Sequence, residues 1–95
     1  MAAYLLIRIA CDQPDLLQDY QSVTPAIVKK YQGRFLARGG KTVTLEGPLE
    51  SRRLVIIEFP DMDAAKAFYH SPEYSDARLL REGVAKAEFV ALQGL

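Results

Sequence analysis

Residues 53–60 read RLVIIEFP, and this run decides the fold. Its β-branched and aromatic residues alternate in direction. Val55, Ile57 and Phe59 take one face of a strand, and Leu54, Ile56 and Glu58 take the other. Pro60 closes the strand, because a proline has no N–H for a ladder. A helical pattern follows. Asp61 stands as its N-cap, and Ala64, Ala65, Phe68 and Tyr69 form an inward stripe. Ser71-Pro72 then restarts the helix, serine as cap and proline in the first helical position. This second piece carries Tyr74, Ala77, Leu80 and Arg81 as far as Gly83, and Glu88 to Leu92 forms a last strand.

Upstream of the decisive run, Tyr4 to Cys11 reads as another strand. Leu5, Ile7, Ile9 and Cys11 make a wholly apolar face, and Tyr4, Leu6, Arg8 and Ala10 a mixed one. Asp12 is placed to cap a helix with Pro14 in its first turn, and Leu16, Tyr20, Val23, Ile27 and Tyr31 recur at helical steps. Pro25 falls inside this pattern and predicts a kink or a split, with Thr24 capping the second half. Gly33 ends the helix. Arg34 to Glu46 is extended. Within it Gly39-Gly40 reads as a bend or bulge in one long strand, or else as a hairpin between two short ones. Gly47-Pro48 begins a turn.

The order is strand, helix, strand, strand, helix pair, strand. With right-handed crossovers this gives an α+β domain: a four-stranded antiparallel sheet with its helices on one face. The other face exposes Tyr4, Leu6, Leu54 and Ile56, an apolar area that calls for a cover. A second copy packed sheet to sheet is the simplest one, so a homodimer is expected.

Ninety-five residues make one domain, residues 1–95. Twelve basic residues balance twelve acidic ones, so nothing in the charge draws the chain to nucleic acid or to a membrane surface. The apolar start from Met1 to Ile7 is cut by Arg8 and lacks the basic flank of a signal peptide. The one cysteine, Cys11, has no partner for a disulfide, and a cytoplasmic setting is expected.

Arg38-Gly39-Gly40, Leu45-Glu46-Gly47, Ile57-Glu58-Phe59-Pro60, Ala67-Phe68-Tyr69 and Ser71-Pro72-Glu73-Tyr74 follow one another, with Arg81 seven residues beyond the last. In these elements the chain resembles the domain-of-unknown-function family 1330, within the dimeric α/β-barrel superfamily. The resemblance covers nearly the whole chain. Its most specific part is Ser-Pro-Glu-Tyr after a strand ending in Glu-Phe-Pro, and His70 departs from the asparagine more usual there. It implies a ferredoxin-like protomer whose sheet joins its partner's to form a two-chain barrel. It implies no established reaction, since the superfamily spans cofactor-free monooxygenases, lactone isomerases and haem-handling enzymes.

Glu58 is the most informative charge, because it interrupts an apolar strand. On the face turned from the helices it is the candidate acid or base, with Arg8 on the same face. The alternative is an ion pair that sets register between two copies. Arg8, Tyr69, Tyr74 and Arg81 are the candidate ligand contacts: arginines for an anionic group, tyrosines to orient it. Each also has a structural reading, as core tyrosines with a wet tip or as an arginine at a helix end. Ser71 reads as a cap, His70 as a surface residue and Cys11 as a small buried hydrophobe. No residues stand at metal-ligand spacing, and no cofactor is expected. Two functions are open. One is a protein that binds or converts a small anionic or aromatic molecule without a metal; the other is a non-catalytic dimeric module.

Overall fold

The decisive run forms strand β3, Arg53–Phe59, in a computed structural model that describes residues 1–95. Strands β1 (Ala3–Cys11), β2 (Arg34–Arg38) and β4 (Ala85–Gln93) complete one antiparallel sheet in the order β2-β3-β1-β4. Helices α1 (Gln18–Lys30), α2 (Met62–Tyr69) and α3 (Pro72–Leu79) supply the helical layer. The expected βαββαβ order holds. No helix is long and apolar enough to cross a membrane.

Alternation in the strands sets the core. Leu5, Ile7 and Ile9 of β1 and Val55, Ile57 and Phe59 of β3 are all buried, and they meet Leu17, Tyr20, Val28, Phe68 and Tyr74 from the helices. The helix starts past the decisive run behave as their residues dictate. The Asp61 carboxylate accepts from the Ala64 N–H at 2.8 Å. The Ser71 hydroxyl accepts from the Tyr74 N–H at 3.0 Å and donates to the Phe68 carbonyl at 2.7 Å, so it bridges two helices.

Two expectations for the first helix need correction. The chain enters through a short 3₁₀ helix, Pro14–Leu17, whose N-cap is Gln13 rather than Asp12. Three residues per turn there bring Leu17 rather than Leu16 onto the inward side. Tyr20 is buried as expected and Ile27 and Tyr31 pack against the core, but Leu17, Thr24 and Val28 are buried where Leu16 is 53% and Val23 39% exposed. Pro25 lies inside a continuous α1 and does not split it, so Thr24 is no cap. Its hydroxyl instead donates to the Gln21 carbonyl at 3.4 Å.

The second extended segment also ends early. β2 stops at Arg38, and its irregularity lies between Phe35 and Ala37, leaving Leu36 as the extra residue, rather than at Gly39-Gly40. Gly39 adopts φ +68°, bonds once more to the Leu54 carbonyl at 2.8 Å, and turns the chain off the sheet. Because β3 begins only at Arg53, residues 40–52 have no strand to pair with. They form neither a strand nor a hairpin.

Candidate functional site

Between the sheet and α1 lies an apolar crevice walled by Ile7, Ile9, Val28, Val55 and Ile57, with the Tyr20, Phe35 and Phe89 rings among its lining. It is narrow, about 30 Å³, room for one or two waters. At the end where β1 finishes it meets an open hollow of about 550 Å³ formed by Cys11, Asp12, Pro14, Leu17 and the start of β3. Ile9, Gln21 and Arg53 line both spaces, so the hollow is the mouth of the crevice.

Two arginines flank the passage between these spaces: Arg53 lines both, and Arg38 lines the crevice. Arg38 donates from Nη2 to the Gln21 carbonyl oxygen at 2.6 Å and to the Thr24 hydroxyl at 3.4 Å, and its guanidinium lies 4.6 Å from the centre of the Phe35 ring. The Gln21 carbonyl is available because residue 25, its partner in a regular helix, is proline and has no N–H to offer. Arg53 shares the inward phase of Val55, Ile57 and Phe59, an unusual place for a charge. Its guanidinium lies over Gly39, in the space that a Cβ at that position would need.

Across the sheet, the face turned from the helices is ordered in rows. Ala37, Ile56, Leu6 and Val90 oppose one another across all four strands and form an apolar band. On one side lies the row Arg34, Glu58, Tyr4 and Leu92; on the other lie Leu54, Arg8 and Glu88. Glu58 accepts from Arg34 at 2.7 Å. Arg8 binds Glu50 at 3.1 Å, Arg52 binds the same carboxylate at 2.9 Å, and Arg52 reaches Glu88 at 2.7 Å. The Arg52 hydrogen bond, aided by Arg8, holds Glu50 well down, from the ordinary 4.5 to about 2. Arg8 and Glu58 share the face but do not meet. Four residues of strand, roughly 14 Å, separate their rows.

The remaining candidates lie on the helix side. Tyr74 is fully buried, and its hydroxyl lies 2.7 Å from that of Tyr20 and accepts from Arg81 Nη2 at 3.3 Å. Arg81 is 7% exposed, joins no ion pair and leaves its Nε without a partner. Burial first, then Tyr74, drives the Tyr20 phenol upward, so it stays protonated. Tyr20 belongs both to this cluster and to the crevice wall, which links the two. Tyr69 instead lines a separate hollow of about 280 Å³ beside His70 and Lys66, and its hydroxyl accepts from Arg78 at 3.2 Å. No three His, Cys, Asp or Glu side chains gather where they could hold a metal ion.

The structure thus brings Tyr74 and Arg81 together, holds Tyr69 next to them by ring contact with Tyr74 at 5.3 Å, and keeps Arg8 and Glu58 on the opposite side of the sheet. Arg38, Arg53 and Gln21 were missed by sequence reasoning. A signal existed for Arg53, an arginine in phase with three inward apolar residues.

The family profile for the domain of unknown function (DUF1330) matches residues 2–95. Among solved structures, a protein of unknown function from Rhodopseudomonas palustris superposes with a TM-score of 0.74 at 20% identity, over 99% of this chain and 82% of its own. A dimeric ferredoxin-like protein of unknown function from Jannaschia sp. CCS1 gives 0.72 at 14%, over 99% and 100%. SnoaB, a cofactor-independent oxygenase from Streptomyces nogalater, gives 0.71 at 15%, over 99% and 93%. No curated protein matches the sequence. At these identities the likeness is one of fold, and the fold is ferredoxin-like.

Proposed function

The chain belongs to the family of the domain of unknown function (DUF1330), and we propose that it works as a homodimer binding a small anionic or aromatic molecule without a metal. The observation that carries the binding reading is the apolar crevice that opens, through Ile9, Gln21 and Arg53, into a hollow large enough for a small ligand. A hydrophobic slot with a few polar groups at its mouth is the usual form of such sites.

The dimer reading is supported from the other side of the sheet. An apolar band of Ile56, Leu6 and Val90, bordered by ion pairs, has the layout of an interface with a dry centre and a polar rim. Dimeric proteins among the similar folds support the same arrangement. Arg8 and Glu58 then set register between copies. Glu58 serves as an acid or base only for a ligand held between the two sheets, because the crevice lies across the sheet from it. Tyr74 and Arg81 support the crevice wall through Tyr20. The unpaired Cys11 suits a reducing, cytoplasmic setting.

Native mass spectrometry of protein purified without added ligand tests both parts. A dimer mass carrying a small molecule supports the reading, and a bare monomer overturns it.

A further inference from the structure

We infer that Arg38 and Arg53 form a carboxylate-binding pair at the crevice mouth, and that the ligand is a small organic acid bearing a short apolar group. This rests on the small-molecule reading of the crevice and names the chemistry of its site.

Register places the two arginines side by side. Arg38 opposes Val55, and Arg53 lies two residues along the same face of β3, which makes it the diagonal neighbour of Arg38. The missing side chain at Gly39 lets the Arg53 guanidinium lie against the backbone immediately after Arg38. Arg8, Arg34 and Arg52, the arginines associated with the other face, each have a carboxylate; Arg38 and Arg53 take part in none of the six ion pairs. Asp12, on the rim of the outer hollow, joins none either. Even with Asp12 counted, the two unpaired arginines leave a surplus of positive charge at the mouth of an apolar slot. A planar guanidinium fork matches a carboxylate, and both oxygens of one carboxylate can be shared between two such forks.

Arg38 is also held ready. The Gln21 carbonyl fixes one Nη, the Phe35 ring supports the plane, and the other N–H groups remain for a ligand. A cation fixed before binding loses less freedom when it binds. Volume restricts the rest of the molecule. The inner 30 Å³ admits a methyl or two and excludes a ring, while the outer hollow takes larger groups. The apolar walls argue for a carboxylic acid over inorganic phosphate, which has nothing to place against Ile9 and Val55.

The test is a titration of the ¹⁵N-labelled full chain with isobutyrate, with its neutral amide isobutyramide, and with inorganic phosphate. Isobutyrate is expected to shift the Gln21, Gly39 and Val55 amide signals saturably, and the amide and phosphate to leave them in place. Arg53→Gln and Arg38→Gln should each weaken isobutyrate about tenfold, the loss of one charge-assisted hydrogen bond. Their spectra should otherwise overlay the parent's, since both side chains lie at the crevice mouth. Equal shifts from acid and amide would overturn the arginine pair and leave the small-molecule crevice standing. Phosphate binding without isobutyrate binding would overturn the carboxylate class. Silence from all three at millimolar concentration would overturn the pair, and native mass spectrometry then decides the wider reading separately.

Discussion

Arg38 Nη2 donates to the carbonyl oxygen of Gln21 at 2.6 Å, which takes the place of the helical hydrogen bond that Pro25 cannot make. A proline inside a helix removes one N–H and crowds the preceding turn, at a cost of about 3 kcal/mol relative to alanine. Here the freed acceptor faces the mouth of the crevice and binds the arginine there. A local defect in α1 becomes part of the site.

Replacing Pro25 by Ala should therefore separate stability from binding. The new N–H would reclaim the Gln21 carbonyl, and α1 would gain roughly 1–3 kcal/mol after the greater freedom of the unfolded alanine chain is counted. Thermal melting should rise by several degrees, about 4–8 °C per kcal/mol in a domain of this size. Isobutyrate should bind more weakly, because Arg38 loses its anchor. A variant no more stable than the parent would show that Pro25 carries no strain in this helix.

Acid should weaken the fold through two carboxylates. Glu50 is held at about 2, first by its Arg52 hydrogen bond, and Glu73 at about 2, first by its Lys30 hydrogen bond and also by Tyr31. Both folded values lie below the ordinary 4.5, so their contribution is complete above 4.5 and lost as pH falls toward 2. Urea midpoints measured across that window should decline, and a Glu50→Gln, Glu73→Gln double variant should show a flatter acid limb. Added salt should shrink the difference, since these pairs face solvent. An unchanged limb in the double variant would assign the acid sensitivity elsewhere.

Tyr74→Phe removes the one hydroxyl that serves both Tyr20 and Arg81. The ring still packs against Phe68, Tyr69 and Phe89, so shape is kept while two buried polar groups lose a partner. The expected loss is about 1–3 kcal/mol in chemical denaturation. Adding Arg81→Met should recover part of it, because the orphaned cation is then gone. Strict additivity in the double variant would mean that the hydroxyl and the guanidinium are not coupled.

The central strands β1 and β3 were legible because period-two alternation is a property of the residues themselves: RLVIIEFP names its own faces. Asp61 and Ser71 were legible as caps for the same local reason. The edge strand β2 was not legible in this way, since its early end at Arg38 depends on where its partner begins. The first helix was read correctly at Tyr20, Ile27 and Tyr31, but Leu16 gave way to Leu17 because the 3₁₀ turn at Pro14–Leu17 winds more tightly than the pattern it introduces. The site was the least legible part. Arg8 and Glu58 stand out as charges on an apolar face, yet their separation depends on strand register, which opposes Arg8 to Leu54 and Tyr4 to Glu58. The grouping of Arg38 with Gln21 needs the 17-residue return of the chain from helix to edge strand. Nothing local announces it.

Leu6 lies at the centre of the open face, opposite Ile56 on one side and Val90 on the other, and it points away from the helices. A charge there should leave the protomer folded, since the core of Leu5, Ile7 and Ile9 lies across the sheet. It should abolish sheet-to-sheet pairing. In an isologous interface each substitution acts on both copies, so Leu6→Lys brings two buried charges and two lost apolar contacts. Sedimentation velocity should find the parent as a dimer at micromolar concentration and Leu6→Lys as a monomer, with association weakened about 100-fold or more. Asp76→Lys, on the exposed side of α3 across the sheet, should leave the dimer intact. A parent chain that sediments as a monomer would mean that the apolar band of Ile56, Leu6 and Val90 takes some cover other than a second copy.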